Sequence, residues 1–459
     1  MNTTAPVARK PPEAAACQVK PLTLRGNFAW TACGNVVYSL CSWLMLTAIA
    51  KLGNMTMVGQ FALGLAVIQP IIAFSQLNLG QVQTTDARRE YRFGDYLGLR
   101  LVTTAIALVI LSLITLHGGY GRVTGAVILL AAIGLAFDSI GDVTFGLLRQ
   151  HERMDRIAIS MAVEGVLSLA LLTAGLVFLH SIVWAMAGSA LASALVVLAY
   201  DIPNAAWVLR LSGSDSHGLF TILGRFSIPR PYWDRRILAR LAWLALPLGG
   251  IMLLITLNNN ISRYFVEHSL GVRELGIFSA LISFVAAGRI VTLALGQSAT
   301  PRLARCYAEG DRQGFVRLIL RLLLVGVAVG LAAPTVAWAA GRQILTFFYT
   351  PEYARHLDVF IIFLVAGGLG YVCSFLGYGI TAARYFKIQT VTLAAVTAVT
   401  IATCAWLVPA YGLRGAAWSA LLVSGAQIAI NVLILRHVLN ALPEPNRVEH
   451  AAPQGGATL

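Results

Sequence analysis

The chain has 459 residues, 58% of them hydrophobic and 12% charged, whereas soluble domains carry roughly 25% charged residues. That composition leaves too little polar surface for a water-soluble fold. The net charge of +14 invites a nucleic-acid reading, but no basic run is interleaved with aromatics in a polar segment, and this excludes one.

Residues 1–26 are polar and rich in Pro and Ala, with no apolar core before Leu22. They read as a cytoplasmic N-terminal tail, not a secretory signal. Twelve apolar runs follow, at 27–49, 55–78, 97–117, 123–148, 158–180, 182–201, 239–261, 274–297, 315–338, 357–380, 387–408 and 415–436. Each is long enough to cross a bilayer, which takes about 20 residues of helix. The expected fold is an all-α integral membrane protein of about 12 transmembrane helices. Its expected parts are a first six-helix lobe at 27–201, a cytoplasmic linker at 202–238, a second six-helix lobe at 239–437 and a disordered C-terminal tail at 438–459.

The basic residues fall on alternate connections. With the N-terminus inside, the inside segments hold 26 of the 34 Lys and Arg residues, in the first tail and near 88–100, 149–156, 210–240, 302–321, 384–387 and the C-terminus. The outer connections hold Lys51, Arg122, Arg263, Arg273, Arg342, Arg355 and Arg414, and Arg289 lies inside a run. This is the positive-inside bias, and it places both termini in the cytoplasm. The six Cys residues are scattered without metal-ligand spacing, no Walker A pattern is present, and no cofactor is expected. No outer connection is long enough for an external catalytic domain.

The two halves look like copies. Leu52-Gly53, Gly59-Gln60-Phe61, Leu79-Gly80-Gln81 and Arg88 recur as Leu270-Gly271, Gly276-Ile277-Phe278, Leu295-Gly296-Gln297 and Arg302. Two parallel six-helix repeats are a transporter architecture. The linker carries a polar stretch, Ser212–Gly218, and a basic aromatic one, Arg230, Tyr232, Trp233, Arg235 and Arg236. The latter suits headgroup depth.

Three segments carry a resemblance. They are Arg263-Tyr-Phe-Val-Glu-His-Ser-Leu-Gly-Val-Arg-Glu-Leu-Gly276, Thr300-Pro301-Arg-Leu-Ala-Arg305 with Glu309-Gly-Asp311, and Pro409-Ala-Tyr-Gly-Leu-Arg414-Gly415-Ala-Ala-Trp-Ser419. With the twelve-run layout they resemble the Wzx-like oligosaccharide and polysaccharide flippases of the multidrug/oligosaccharidyl-lipid/polysaccharide exporter superfamily. The resemblance implies two six-helix lobes around a central cavity in the bacterial inner membrane. It also implies translocation of undecaprenyl-diphosphate-linked repeat units for surface or exopolysaccharide synthesis, without catalysis of bond change. The implied partners are the lipid-linked oligosaccharide, membrane lipids and other polysaccharide assembly proteins, with no nucleic acid.

Polar residues inside the runs are the candidate site, because an ionisable group in the bilayer core costs at least ~2.5–3.5 kcal/mol and so faces the bundle interior or water. On the first run Asn35 and Tyr38 are candidate cavity residues. Asp138 and Asp142 are four apart on one helix face. Asp142, Glu164, Arg100 and Arg149 fall in the cytoplasmic third and read as an ion-pair network closing that side, while the acidic set of Asp138, Asp142, Glu164 and Asp201 reads alternatively as holding a carboxylate that binds H⁺ or Na⁺. Asp138 lies deepest of these. Asn258, Asn259 and Asn260 near the outer end of the seventh run, with Arg263 beyond them, are candidate glycan contacts. Arg289 lies about 15 residues, or ~22 Å, along the eighth run from its outer end. It shares a stripe with Val285, Ala286, Thr292 and Gly296, mostly small residues expected to leave space for a bulky anionic group, and its planar fork suits phosphate oxygens.

Two rival readings stay open: a drug/cation antiporter of the same fold, which needs buried acids, and a polytopic glycosyltransferase or polymerase, which needs a catalytic carboxylate or a sizeable outer loop.

Overall fold

In the computed structural model, which describes residues 22–86, 90–212, 219–222, 226–383 and 385–440, each of the twelve apolar runs falls on a helix. In chain order these are α1 (Leu24–Leu52), α2 (Met55–Ser75), the short α3 (Leu79–Thr85), α4 (Phe93–His117), α5 (Arg122–Gln150), α6 (Met154–Leu179) and α7 (Ile182–Val196). A π-helical turn (Val197–Asp201) carries α7 into α8 (Ile202–Ser212). Two four-residue antiparallel strands, β1 (Leu219–Ile222) and β2 (Phe226–Pro229), interrupt the helices. There follow α9 (Arg235–Leu270), α10 (Val272–Ser283), α11 (Val285–Ala308), α12 (Arg312–Phe348), α13 (Leu357–Ala382) and α14 (Phe386–Asn440).

By length and composition, ten stretches of helix among the described residues can each cross a membrane, and the bent pair α10–α11 makes an eleventh. The twelfth run is inside α14. That helix breaks at Gly412, whose φ of 59° and ψ of −137° are not helical, a conformation that glycine adopts without a Cβ clash. The 387–408 and 415–436 runs therefore lie on either side of one break. All-helical membrane architecture is thus the observed fold, apart from the single hairpin. The first tail before Leu22, the Ser212–Gly218 stretch beyond Ser212 and the last tail from Ala441 lie outside the described residues.

The chain packs as two compact units. One is Met1–Ala48 with Val67–Leu257, the other Ile49–Ala66 with Asn258–Leu459. α8 prolongs the sixth span into the stretch read as linker, and Tyr232 is docked against the start of α4. Its N–H donates to the Gly94 carbonyl at 2.9 Å, its ring and backbone lie against Gly94 and Gly98, and the Arg92 guanidinium stands 5.8 Å from its ring centre. Trp233 beside it stays exposed.

Inside the second unit the repeated glycines meet. A methyl at Gly59 on α2 would collide with the Val272 carbonyl, and one at Gly276 on α10 with the Met55 carbonyl. Lipid tails offer helices no hydrophobic drive to associate, so backbone approach through small residues carries the packing. Gly276→Leu is expected to cost at least about 1–3 kcal/mol by overpacking, read as a lower thermal midpoint in detergent. Gly370→Ala is the control, because a methyl at Gly370 meets nothing within 4 Å. Equal midpoints for the two variants would refute the close crossing.

Candidate functional site

A cavity of about 340 Å³ opens inside the first unit. Asn35 and Tyr38 of α1, Asp138 and Asp142 of α5, Glu164 of α6 and Asp201 of the π-helical turn all line it. Small residues bring these side chains together. Gly34 of α1 lies against Ala158 of α6, and Gly165 of α6 against Cys41 and Tyr38 of α1, which sets Tyr38 beside Glu164. Gly141 of α5 faces the Asp201 carboxylate. The Asn35 amide donates to the Thr31 carbonyl at 2.7 Å, so one of its donors is used within its own helix.

The acids divide into two levels. Asp142 belongs to an ion-pair set: Arg100 Nη2 is 2.7 Å from its Oδ2, and Arg149 Nη1 is 3.8 Å from its Oδ1. Arg100 is fully buried, and its Nε and Nη1 have no partner in the described structure. Of the expected set, Arg100, Asp142 and Arg149 are therefore joined by ion pairs. Glu164 is not among them.

Glu164 belongs to the second level, one turn further from the end of α5. The Asp138 carboxyl is within hydrogen-bonding reach of Glu164 and of the Ser193 hydroxyl, and its Oδ1 is buried without a partner. Asp201 accepts from Ser160 Oγ at 2.6 Å. Among the described residues, none of the ion pairs involves Asp138, Glu164 or Asp201. Ionised carboxylates only accept hydrogen bonds, so these two carboxyls can bond each other only when one of them carries a proton.

At the α5–α6 turn of the same unit, Arg153 forms two hydrogen bonds to Asp155, at 2.9 and 2.7 Å. These hold its guanidinium protonated beyond its ordinary range. Both Arg153 and Arg156 lie over the Trp207 ring, at 5.3 and 3.9 Å from its centre.

The second unit carries the cationic candidates. α9 does not stop at the Asn triplet but runs on to Leu270, so Arg263 is a helix residue, not part of an outer loop as its place after the run 239–261 suggested. The continued helix keeps its backbone bonded, which an apolar-run boundary cannot register. Asn260 is 1% exposed and accepts from Arg263 Nη1 at 2.8 Å. Asn258 is half-buried and Asn259 exposed. Among the described residues no carboxylate pairs with Arg263.

Arg289 sits just past the bend between α10 and α11, exposed and outside every ion pair among the described residues. Its electrostatic neighbours are Tyr371 and Tyr378 of α13. Thr292 is buried, and the space expected beside Gly296 is filled by the Tyr378 ring.

The sequence reading counted Asp201 among the acids without giving it a role of its own, and left Ser160 and Ser193 out of the candidate site. Asp201 closes the apolar run 182–201 and looks like a boundary residue, whereas the helix continues through α8 and embeds it. The hydroxyls gave no signal, because membrane helices use Ser routinely for packing.

The MatE family matches residues 247–407. The capsular polysaccharide biosynthesis protein CapF of Staphylococcus aureus is 25% identical over 401 residues, covering 85% of this chain and 94% of that protein. An inward-facing multidrug resistance MATE family transporter of the MOP superfamily superposes with a TM-score of 0.66 at 14% identity, over 88% of this chain and 96% of that one. The lipid II flippase MurJ, in an inward closed conformation, superposes with a TM-score of 0.67 at 10% identity, over 88% and 87%. At these identities the two structures speak for the fold alone.

Proposed function

We infer, from this chain's place in the MOP superfamily of multidrug, oligosaccharidyl-lipid and polysaccharide exporters, that it is a flippase. Its substrate is a polyprenyl-diphosphate-linked oligosaccharide repeat unit, moved by alternating access across a bacterial inner membrane for surface or exopolysaccharide synthesis. Both termini are cytoplasmic in this reading, as the charge distribution predicts. It is supported by the likeness to a relative whose name places that protein in capsular polysaccharide biosynthesis.

One structural observation carries the choice of substrate. Arg263 of α9 and Arg289 of α11 pair with no carboxylate among the described residues, so their charge is available to an external anion. A diphosphate crossing hydrocarbon needs such offsetting charge, and the guanidinium fork matches phosphate oxygens. Asn258 and Asn259 supply amides suited to sugar hydroxyls, whereas the buried Asn260 is taken up by Arg263. The proton-holding level of Asp138 and Glu164, with Tyr38 and Asn35 on the same cavity, couples transport to an ion gradient.

That acid-lined cavity also favours the rival reading, a drug/cation antiporter. Purified protein in vesicles separates the two. Transbilayer movement of a polyprenyl-diphosphate oligosaccharide, with no bond changed, supports the flippase. Cation-coupled dye efflux without lipid movement supports the antiporter, and new glycosidic linkages would revive an enzyme. In the same vesicles Asp138→Asn is expected to slow movement driven by a pH gradient at least about tenfold, since the lost site holds the coupling proton. Unchanged gradient dependence in that variant excludes Asp138 as the coupling group.

A further inference from the structure

The eighth span is broken where its own sequence gives no reason to break. α10 ends at Ser283, α11 begins at Val285, and the axes of Val272–Ser283 and Gly288–Ala308 diverge by 48°. Sharp bends normally come from Pro, Gly–Ser pairs, π turns or an inserted group. Ser283-Phe284-Val285 holds neither Pro nor Gly. A break exposes backbone that hydrocarbon cannot satisfy, and here two phenols from other segments reach carbonyls on either side of it.

On the outer side, the Ala280 carbonyl accepts from Tyr349 Oη at 3.1 Å and from Ser283 Oγ at 2.8 Å. On the inner side, Tyr371 Oη donates to the Val285 carbonyl at 2.7 Å and lies within hydrogen-bonding reach of the Gly288 N–H. Phe284 is met edge-on by Phe348, Tyr349 and Phe360. Gly288 makes room for the Tyr371 ring, since a methyl there would collide with it. Tertiary partners thus fix the bend.

Arg289 follows immediately. The Val285 carbonyl is the oxygen that an α-helix offers to the N–H of residue 289, so Tyr371 holds the turn on which Arg289 stands. Tyr371 itself is only 4% exposed, while Arg289 is exposed. An effect of Tyr371 on a ligand must therefore pass through Arg289. We propose that Tyr371 is a positioning residue: by pinning the first turn of α11 it sets the direction in which the Arg289 guanidinium meets the diphosphate of a lipid-linked substrate. This rests on the reading of Arg289 as a diphosphate contact.

The test is binding of undecaprenyl diphosphate, without sugar, to the purified full chain in detergent. Arg289→Ala is expected to weaken binding about tenfold or more, the loss of a charge-assisted hydrogen bond. Tyr371→Phe, which removes one oxygen and keeps the ring, is expected to weaken it comparably. The double variant is expected to bind no more weakly than Arg289→Ala alone, because both changes remove one interaction. A purely structural tyrosine would lower the thermal midpoint and add its effect to that of Arg289→Ala. Unchanged binding in Tyr371→Phe, or additive losses, overturns the proposal and leaves the flippase reading intact. Unchanged binding in Arg289→Ala removes the diphosphate contact itself, and the proposal with it. If Tyr371→Phe does not yield monodisperse protein, Gly288→Ala displaces the same ring and carries the same comparison.

Discussion

Asp142→Ala is expected to destabilise the protein by about 3–5 kcal/mol, the cost of stranding a buried charge. Arg100 is fully buried, and Asp142 is the carboxylate it pairs with, at 2.7 Å. Its other two guanidinium nitrogens have no partner in the described structure, so nothing else nearby replaces the lost acceptor. The reverse change differs. In Arg100→Met the apolar side chain fills the buried site, and Asp142, 28% exposed with Arg149 at 3.8 Å, keeps water and a second cation. Its cost is expected to stay below about 2 kcal/mol, since an apolar replacement of a buried ion is often nearly neutral. The double variant is expected to match Arg100→Met, because both changes act on one interaction. Thermal midpoints in detergent decide the matter. If Asp142→Ala melts no lower than Arg100→Met, the pair does not hold α4 to α5. A loss of transport at an unchanged midpoint would make it a gate.

Arg289→Ala is expected to abolish export, with transport falling at least about tenfold as charge-assisted hydrogen bonds to phosphate are lost. Arg289→Lys is expected to retain part of it, because an ammonium supplies the charge without the planar fork. Neither variant should be much less stable than the parent, since exposed residues outside ion pairs usually change stability by within about 0.5 kcal/mol. The comparison is made at equal abundance in the membrane, on surface polysaccharide and on substrate lipid retained at the cytoplasmic face. A fully active alanine variant would remove Arg289 from the site.

Most of the architecture was legible in the sequence. The twelve apolar runs fall on helices, and the repeated Gly59 and Gly276 mark a real crossing. The candidate site was legible in its ingredients and not in its groupings. Asn35, Tyr38, Asp138 and Glu164 were all singled out, yet the i, i+4 spacing of Asp138 and Asp142 suggested one acidic group where there are two. Asp142 faces Arg100, whereas Asp138 faces Glu164, so the two carboxylates meet different partners one turn apart. Gly296 suggested space beside Arg289, and a ring from α13 occupies it.

Apolar length and the placement of Lys and Arg are properties of the local chain against the bilayer and need no partner to act. They determined the spans, their expected orientation and the class of protein. Which carboxyl meets which base, where α10 gives way to α11 and what holds that bend depend on faces that touch only after the helices pack. Gly34 and Gly165 set how closely α1 and α6 approach, Gly141 sets how closely α5 meets the π-helical turn, and residues far along the chain, Tyr349 and Tyr371, bond the backbone at the break. Those decisions belong to the tertiary structure, because a buried polar group is stable only beside the partner that packing delivers to it.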